Sequence, residues 1–168
     1  MLPLHPVVVH FPIVLAVLLP ISAGVALWAI RKGTTARRAW AVPVVMAVAL
    51  AASALVAVKT GEAQDERVEQ VVPEQPLEAH EEAAETFLTL AGGLALLVAA
   101  GLARGRIGSV ARGLGTVGAV LLVAAAGYVG HSGGKLVYEY GAASAYTGAT
   151  PRVSATAPRH DSDDGDDR

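Results

Sequence analysis

Residues 6–30 read PVVVHFPIVLAVLLPISAGVALWAI, a run that contains no Asp, Glu, Lys or Arg. An α-helix rises about 1.5 Å per residue, so this stretch reaches roughly 37 Å, enough to cross a hydrocarbon core of about 30 Å. Three further runs, 39–58, 86–103 and 113–130, are equally free of charge, and each covers roughly 27–30 Å as helix. A soluble helix of such length needs a polar face, and these runs show none. The composition agrees: of 168 residues, 53% are hydrophobic and only 17% charged, against roughly 25% charged in a soluble domain. The reading is an all-α membrane four-helix bundle. Absence of cysteine excludes disulfides, thiolate zinc sites, iron–sulfur clusters and covalent haem attachment.

The connections set the orientation. The first carries Arg31, Lys32, Arg37 and Arg38 with no acid, and the third carries Arg104, Arg106 and Arg112. The second holds Glu62, Asp65, Glu66, Glu69, Glu74, Glu78, Glu81, Glu82 and Glu85 against Arg67 alone. Short basic loops stay in the cytoplasm, so loops one and three are expected inside, and loop two with both termini outside, in a multi-pass protein of the inner (plasma) membrane. Trp28 and Trp40 flank the first basic loop as expected interface anchors. The start of the chain lacks a basic n-region and runs too long for a signal peptide, so a retained first helix is expected. Residues 1–141 form the expected transmembrane domain, with an outer helical extension in loop 62–85. The second span is expected to continue past Gly61 to near Val72, and a helix from about Leu77 to lead into the third span. The stretch 142–168, rich in Ala, Ser, Thr and Pro and ending in an acidic run, reads as a disordered outer tail.

Four of the five histidines fall at the outer ends of helices, while His160 lies in the tail and takes no role. Measured from the middle of each span, His10 and His131 stand about 12–15 Å up and His5 and His80 about 20–22 Å up. A polar ring at such depth needs a partner for its nitrogens. His80 shares a face with Ala84, Phe87 and Ala91. His5 and His10 are five residues apart, about 140° around a helix, so a regular helix does not aim both at one small ion. Pro12 removes the bond to the Val8 carbonyl and is expected to kink the helix just below His10. Gly127, Gly130, His131 and Gly134 share a face of the fourth helix, where missing side chains admit a second backbone or a flat ligand.

Several of these stretches, the opening Leu4-His5-Pro6-Val7-Val8-Val9-His10-Phe11-Pro12-Ile13, then Thr60-Gly61, Glu78-Ala79-His80-Glu81, and the long run from Gly130-His131-Ser132-Gly133-Gly134-Lys135 to Gly141, resemble a bacterial family of four-helix membrane proteins catalogued as domain of unknown function 2231. The resemblance covers roughly Leu4 to Gly141 and implies the four-helix architecture. It also implies His5, His10, His80 and His131 as the positions matching the family's histidines, and it brings no activity.

The leading functional expectation is a transmembrane b-type haem protein carrying electrons. Non-covalent haem needs axial imidazoles from facing helices, a small-residue face and an apolar slot. His10 with His131 or His80, together with Gly127, Gly130 and Gly134, are the expected cofactor-binding residues. An alternative is a copper, zinc or iron site on His5, His10, His80 and His131, completed by Glu62, Glu78 or Glu81. Transport fits poorly because no polar residues line the inner half. A third reading is a non-catalytic assembly subunit. The expected partners are the lipid bilayer and a redox partner or membrane complex on the outer side. No phosphate loop or nucleophilic cysteine is present, Ser132 beside His131 has no orienting acid, and the chain reads as a carrier or subunit rather than a stand-alone enzyme. The short basic loops are explained by topology and give no support to nucleic-acid binding.

Overall fold

Residues 4–147 are described by the computed structural model, and they fold into α-helices α1 (His5–Val8), α2 (His10–Arg31), α3 (Ala36–Glu62), α4 (Asp65–Val68), α5 (Glu74–Ala100), α6 (Gly105–Tyr138) and α7 (Ser144–Thr147). The expected tail beyond Thr147, His160 included, lies outside the described residues. Four helical segments are long and apolar enough to cross a membrane: His5–Arg31, which joins α1 to α2, and α3, α5 and α6. They form a ring in which α2 packs on α3 and α6, and α5 packs on the same two helices.

The packing follows from the spacing of small residues. Ala16, Leu19, Ala23 and Ala26 are buried on α2; Trp40, Pro43, Ala47, Leu50, Ala54 and Ala57 on α3; and Gly108, Ala111, Gly115, Ala119, Leu122 and Ala126 on α6. Steps of three and four residues make one seam per helix, the pattern of a left-handed bundle. In a bilayer no hydrophobic force drives helices together, so close approach through Ala and Gly supplies dispersion contact instead. No polar or charged residue is buried among the described residues. The outward faces carry Val45, Leu96, Leu121 and many other exposed apolar side chains, a surface that suits lipid and not water.

At the arginine end the structure corrects two expectations. Trp40 is 0% exposed, unlike Trp28 at 62%, and its Nε1 donates to the Val98 carbonyl at 2.8 Å. That carbonyl sits in the last turn of α5, where it also accepts from Gly101 N–H at 3.0 Å, and the indole fills its second acceptor site. A Cβ on Gly101 would stand 2.3 Å from the same nitrogen. The third connection is also shorter than expected, spanning only residues 101–104, so Arg106 and Arg112 lie within α6. Gly105, at φ +67°, makes the turn that permits this. Arg112 Nη1 donates to the Gly101 carbonyl at 2.6 Å and Arg37 Nε to that of Leu102 at 3.3 Å. Two cations thus cap the α5 C-terminus, where the helix dipole favours them.

At the other, histidine end, α3 stops at Glu62 instead of running to Val72, and α4 is a separate turn. The helix leading into the third span starts three residues before Leu77, just after Pro73, and Pro76 is tolerated in a first turn that needs no N–H. Residues beyond the expected boundary at 141 pack on this cap. Gly141, at φ +71°, reverses the chain so that Ala142 N bonds to the Leu136 carbonyl at 2.8 Å. Ala142 is then buried with Val72, Leu77 and Leu136. Tyr146 donates its hydroxyl to Gln64 Oε1, and Arg67 lies 5.7 Å from its ring centre.

The Trp40 bond sets a stability expectation. Trp40→Phe lowers stability by about 1 kcal/mol and Trp40→Ala by about 3–5 kcal/mol, read from thermal unfolding in detergent. Trp28→Ala changes it by less than about 0.5 kcal/mol.

Candidate functional site

The first helix is interrupted at Val9, one residue before His10, so that α1 forms a separate turn. Pro12 leaves the Val8 carbonyl without its helical donor, and the next bond, Ile13 N to Val9 O, is stretched to 3.4 Å. The turn carries His5 inward against α3. There His5 Nδ1 lies 2.9 Å from the Ala57 carbonyl and 3.5 Å from Thr60 Oγ1. From α5, His80 Nδ1 reaches Ser132 Oγ on α6 at 2.8 Å. The two imidazoles stand with ring centres 6.5 Å apart and planes at 83°.

The hydrogen bonds determine which nitrogen of each ring carries the proton. A carbonyl only accepts, so His5 Nδ1–H donates to Ala57. Ser132 donates its single hydroxyl hydrogen to the Val129 carbonyl at 2.9 Å, so it accepts from His80 Nδ1–H. With Nδ1–H bonded in each ring, Nε2 is the nitrogen left without a hydrogen-bond partner among the described residues. Metal-ligating histidines show this arrangement, with one ring nitrogen tied to a second group and the other left to the ligand.

Glycine makes the room. A Cβ on Gly61 would lie 3.3 Å from His5 Cε1, and one on Gly133 would lie 2.9 Å from His80 Cε1. Each imidazole is therefore served by a hydroxyl residue and the glycine that follows it, Thr60-Gly61 and Ser132-Gly133.

Two cavities meet at the pair, both lined by His5, Pro6, Val58, His80, Ala84, Gly133 and Val137. One, about 480 Å³, lies under the cap and is rimmed by Glu62, Asp65, Glu81 and Glu85. The other, about 350 Å³, is bounded by Pro12, Ile13, Phe87, Ala126, Val129, Gly130 and Gly134, with His10 and Tyr138 as its further polar groups. Both fall in the size range of small-molecule sites.

The expected site residues are divided by this geometry. His5 and His80 come together. His10 and His131 are exposed, and His10 reaches only the margin of the smaller cavity, whose lining does not include His131. Gly130 and Gly134 line that cavity, whereas Gly127 lies outside it. Glu62 and Glu81 stand on the rim of the larger cavity and Glu78 does not. Among the described residues no group of three His, Cys, Asp or Glu side chains is placed to hold a metal ion. Thr60, Gly61, Ser132 and Gly133, which carry the imidazoles, were not among the expected site residues.

On the cap, burial pushes the Asp65 carboxyl above its ordinary value. Glu69 and Glu62 add to this, while a hydrogen bond with Glu81 and the charge of His5 oppose it.

The family model described as "Predicted membrane protein (DUF2231)" matches residues 1–145. No curated protein and no solved structure matches the chain.

The hydrogen-bond pattern is checked by ¹⁵N chemical shifts, which should report Nδ1-protonated tautomers for His5 and His80. Ser132→Ala should release His80 alone to the other tautomer. Ionised Asp65 opposes folding above its raised pKa and has no effect below the unfolded value of 3.8, where both states are protonated. Asp65→Asn should therefore raise the melting temperature at neutral pH, with the gain vanishing as the pH falls below that value.

Proposed function

The chain belongs to the DUF2231 family of predicted membrane proteins, and from that footing we propose that it is a b-type haem protein, with His5 and His80 as the residues that would hold the iron and electron transfer as the task. One observation carries this reading: His5 and His80, with ring centres 6.5 Å apart, both line the two cavities that meet at the pair. A metal ion bonds imidazole nitrogen at about 2.0–2.1 Å, so two opposed rings sharing one ion have centres about 6.3 Å apart. A bare ion needs no flanking space, whereas a flat macrocycle held by the two imidazoles would need room on both sides of the pair. The two cavities provide that space, with Val58, Ala84, Val137 and the backbone at Gly133 as shared walls.

The ligand pair in this proposal keeps His80 and replaces His10, where the sequence led to His10 with His131 or His80. Haem supplies one-electron chemistry when bound, and the protein supplies two fixed nitrogens, an apolar surround and second hydrogen bonds that raise ligand basicity. The histidine end is taken as the outer face because Arg31, Lys32, Arg37, Arg38 and Arg104 gather at the opposite end, the side that positive-inside bias assigns to the cytoplasm. The proposed redox partner is then met on the outer side.

Detergent-purified protein from haem-replete cells should show a Soret band. His5→Ala or His80→Ala should abolish it, and His10→Ala or His131→Ala should leave it. Purification without haem overturns the proposal, and metal without porphyrin would turn it into an ion site.

A further inference from the structure

The walls around the imidazole pair are held very unequally. Four long helices supply most of the lining, and each is fixed along its length by a buried seam. The stretch after α6 is different. Gly141 turns the chain back over the cap, and Ala142, Ala143, Tyr146 and Thr147 line the larger cavity together with His5 and His80. Ala142 is the one buried residue of this strap, residues 139–147. Its side-chain ties are the Tyr146 hydroxyl on Gln64 Oε1 and the Arg67 guanidinium over the Tyr146 ring. Both partners belong to the single turn of α4 and its cap. Closing the strap also has a cost. Ser144 Oγ is buried without a hydrogen-bond partner among the described residues, whereas water would bond it in an open strap. A wall held by so few contacts opens locally long before the helices part.

We infer that residues 139–147 form a gate: the strap closes the larger cavity over the imidazole pair, the contacts of Tyr146 with Gln64 and Arg67 are its latch, and a ligand reaches the pair from water at the histidine end when the latch parts. This concerns the regulation of the proposed haem site, and it rests on that reading only for naming haem as what passes.

The four described histidines serve as reporters. Diethyl pyrocarbonate acylates unprotonated imidazole nitrogen and arrives from water. Full-length protein is purified in detergent from haem-starved cells with EDTA present, and the rate at each histidine is read by peptide mass spectrometry. His10 and His131, which are exposed, should react faster than the half-buried His5 and His80. Tyr146→Phe keeps the ring and removes the hydroxyl, and Gln64→Leu removes its acceptor. Each should speed His5 and His80 about tenfold, the factor for one lost hydrogen bond of about 1.4 kcal/mol, and leave His10 and His131 unchanged. Trp40→Phe weakens the opposite end of the bundle and should alter none of the four rates. Unchanged rates at His5 and His80 in both latch variants overturn the gate, as does a speeding that Trp40→Phe reproduces. If the latch variants respond as expected and no preparation from haem-replete cells shows a Soret band, the gate stands and the haem reading falls.

Discussion

Helices in a bilayer gain nothing from hiding oil from water, so their association depends on how closely their backbones approach. In this chain the approach is set by alanine and glycine at three- and four-residue steps along α2, α3 and α6. The same requirement recurs locally. Gly101 admits the Trp40 indole, and Gly61 and Gly133 admit the two imidazoles. Larger side chains there would hold the rings away from their hydrogen-bond partners, and both ends of the bundle would lose their order.

The spans were legible because the absence of charge over 18 or more residues has few structural solutions. Smaller features escaped for physical reasons. Trp40 reads as an interface anchor until the packing of α3 against the end of α5 brings its indole to the Val98 carbonyl. Arg106 and Arg112 count as loop residues until the turn at Gly105 is seen to start a helix at once. Where α3 ends depended on the local break after Glu62, which periodicity does not reveal.

At the site, the grouping of the histidines at one end of the bundle was legible in the sequence, and their direction around each helix decided which of them meet. The buried stripe of α2 continued backward from Ala16 and Pro12 in steps of three and four passes through His5 and misses His10. The stripe of α6 continued forward from Ala126 passes through Gly133 and on to Leu136 and misses His131. Helical phase therefore held the signal that separates the inward pair from the outward one, as it did for His80 with Ala84, Phe87 and Ala91. The roles of Thr60 and Ser132 need the partner helix and were beyond any single-helix reading.

The dry interior between the two ends has a further consequence. With no buried polar residue among those described, no file of ionisable groups joins the imidazole pair to the opposite face. Under the proposed function, charge reaching the pair from the histidine end would cross little of the bilayer, and the electrical work done scales with that distance. A redox step at the proposed site would therefore depend only weakly on the transmembrane voltage.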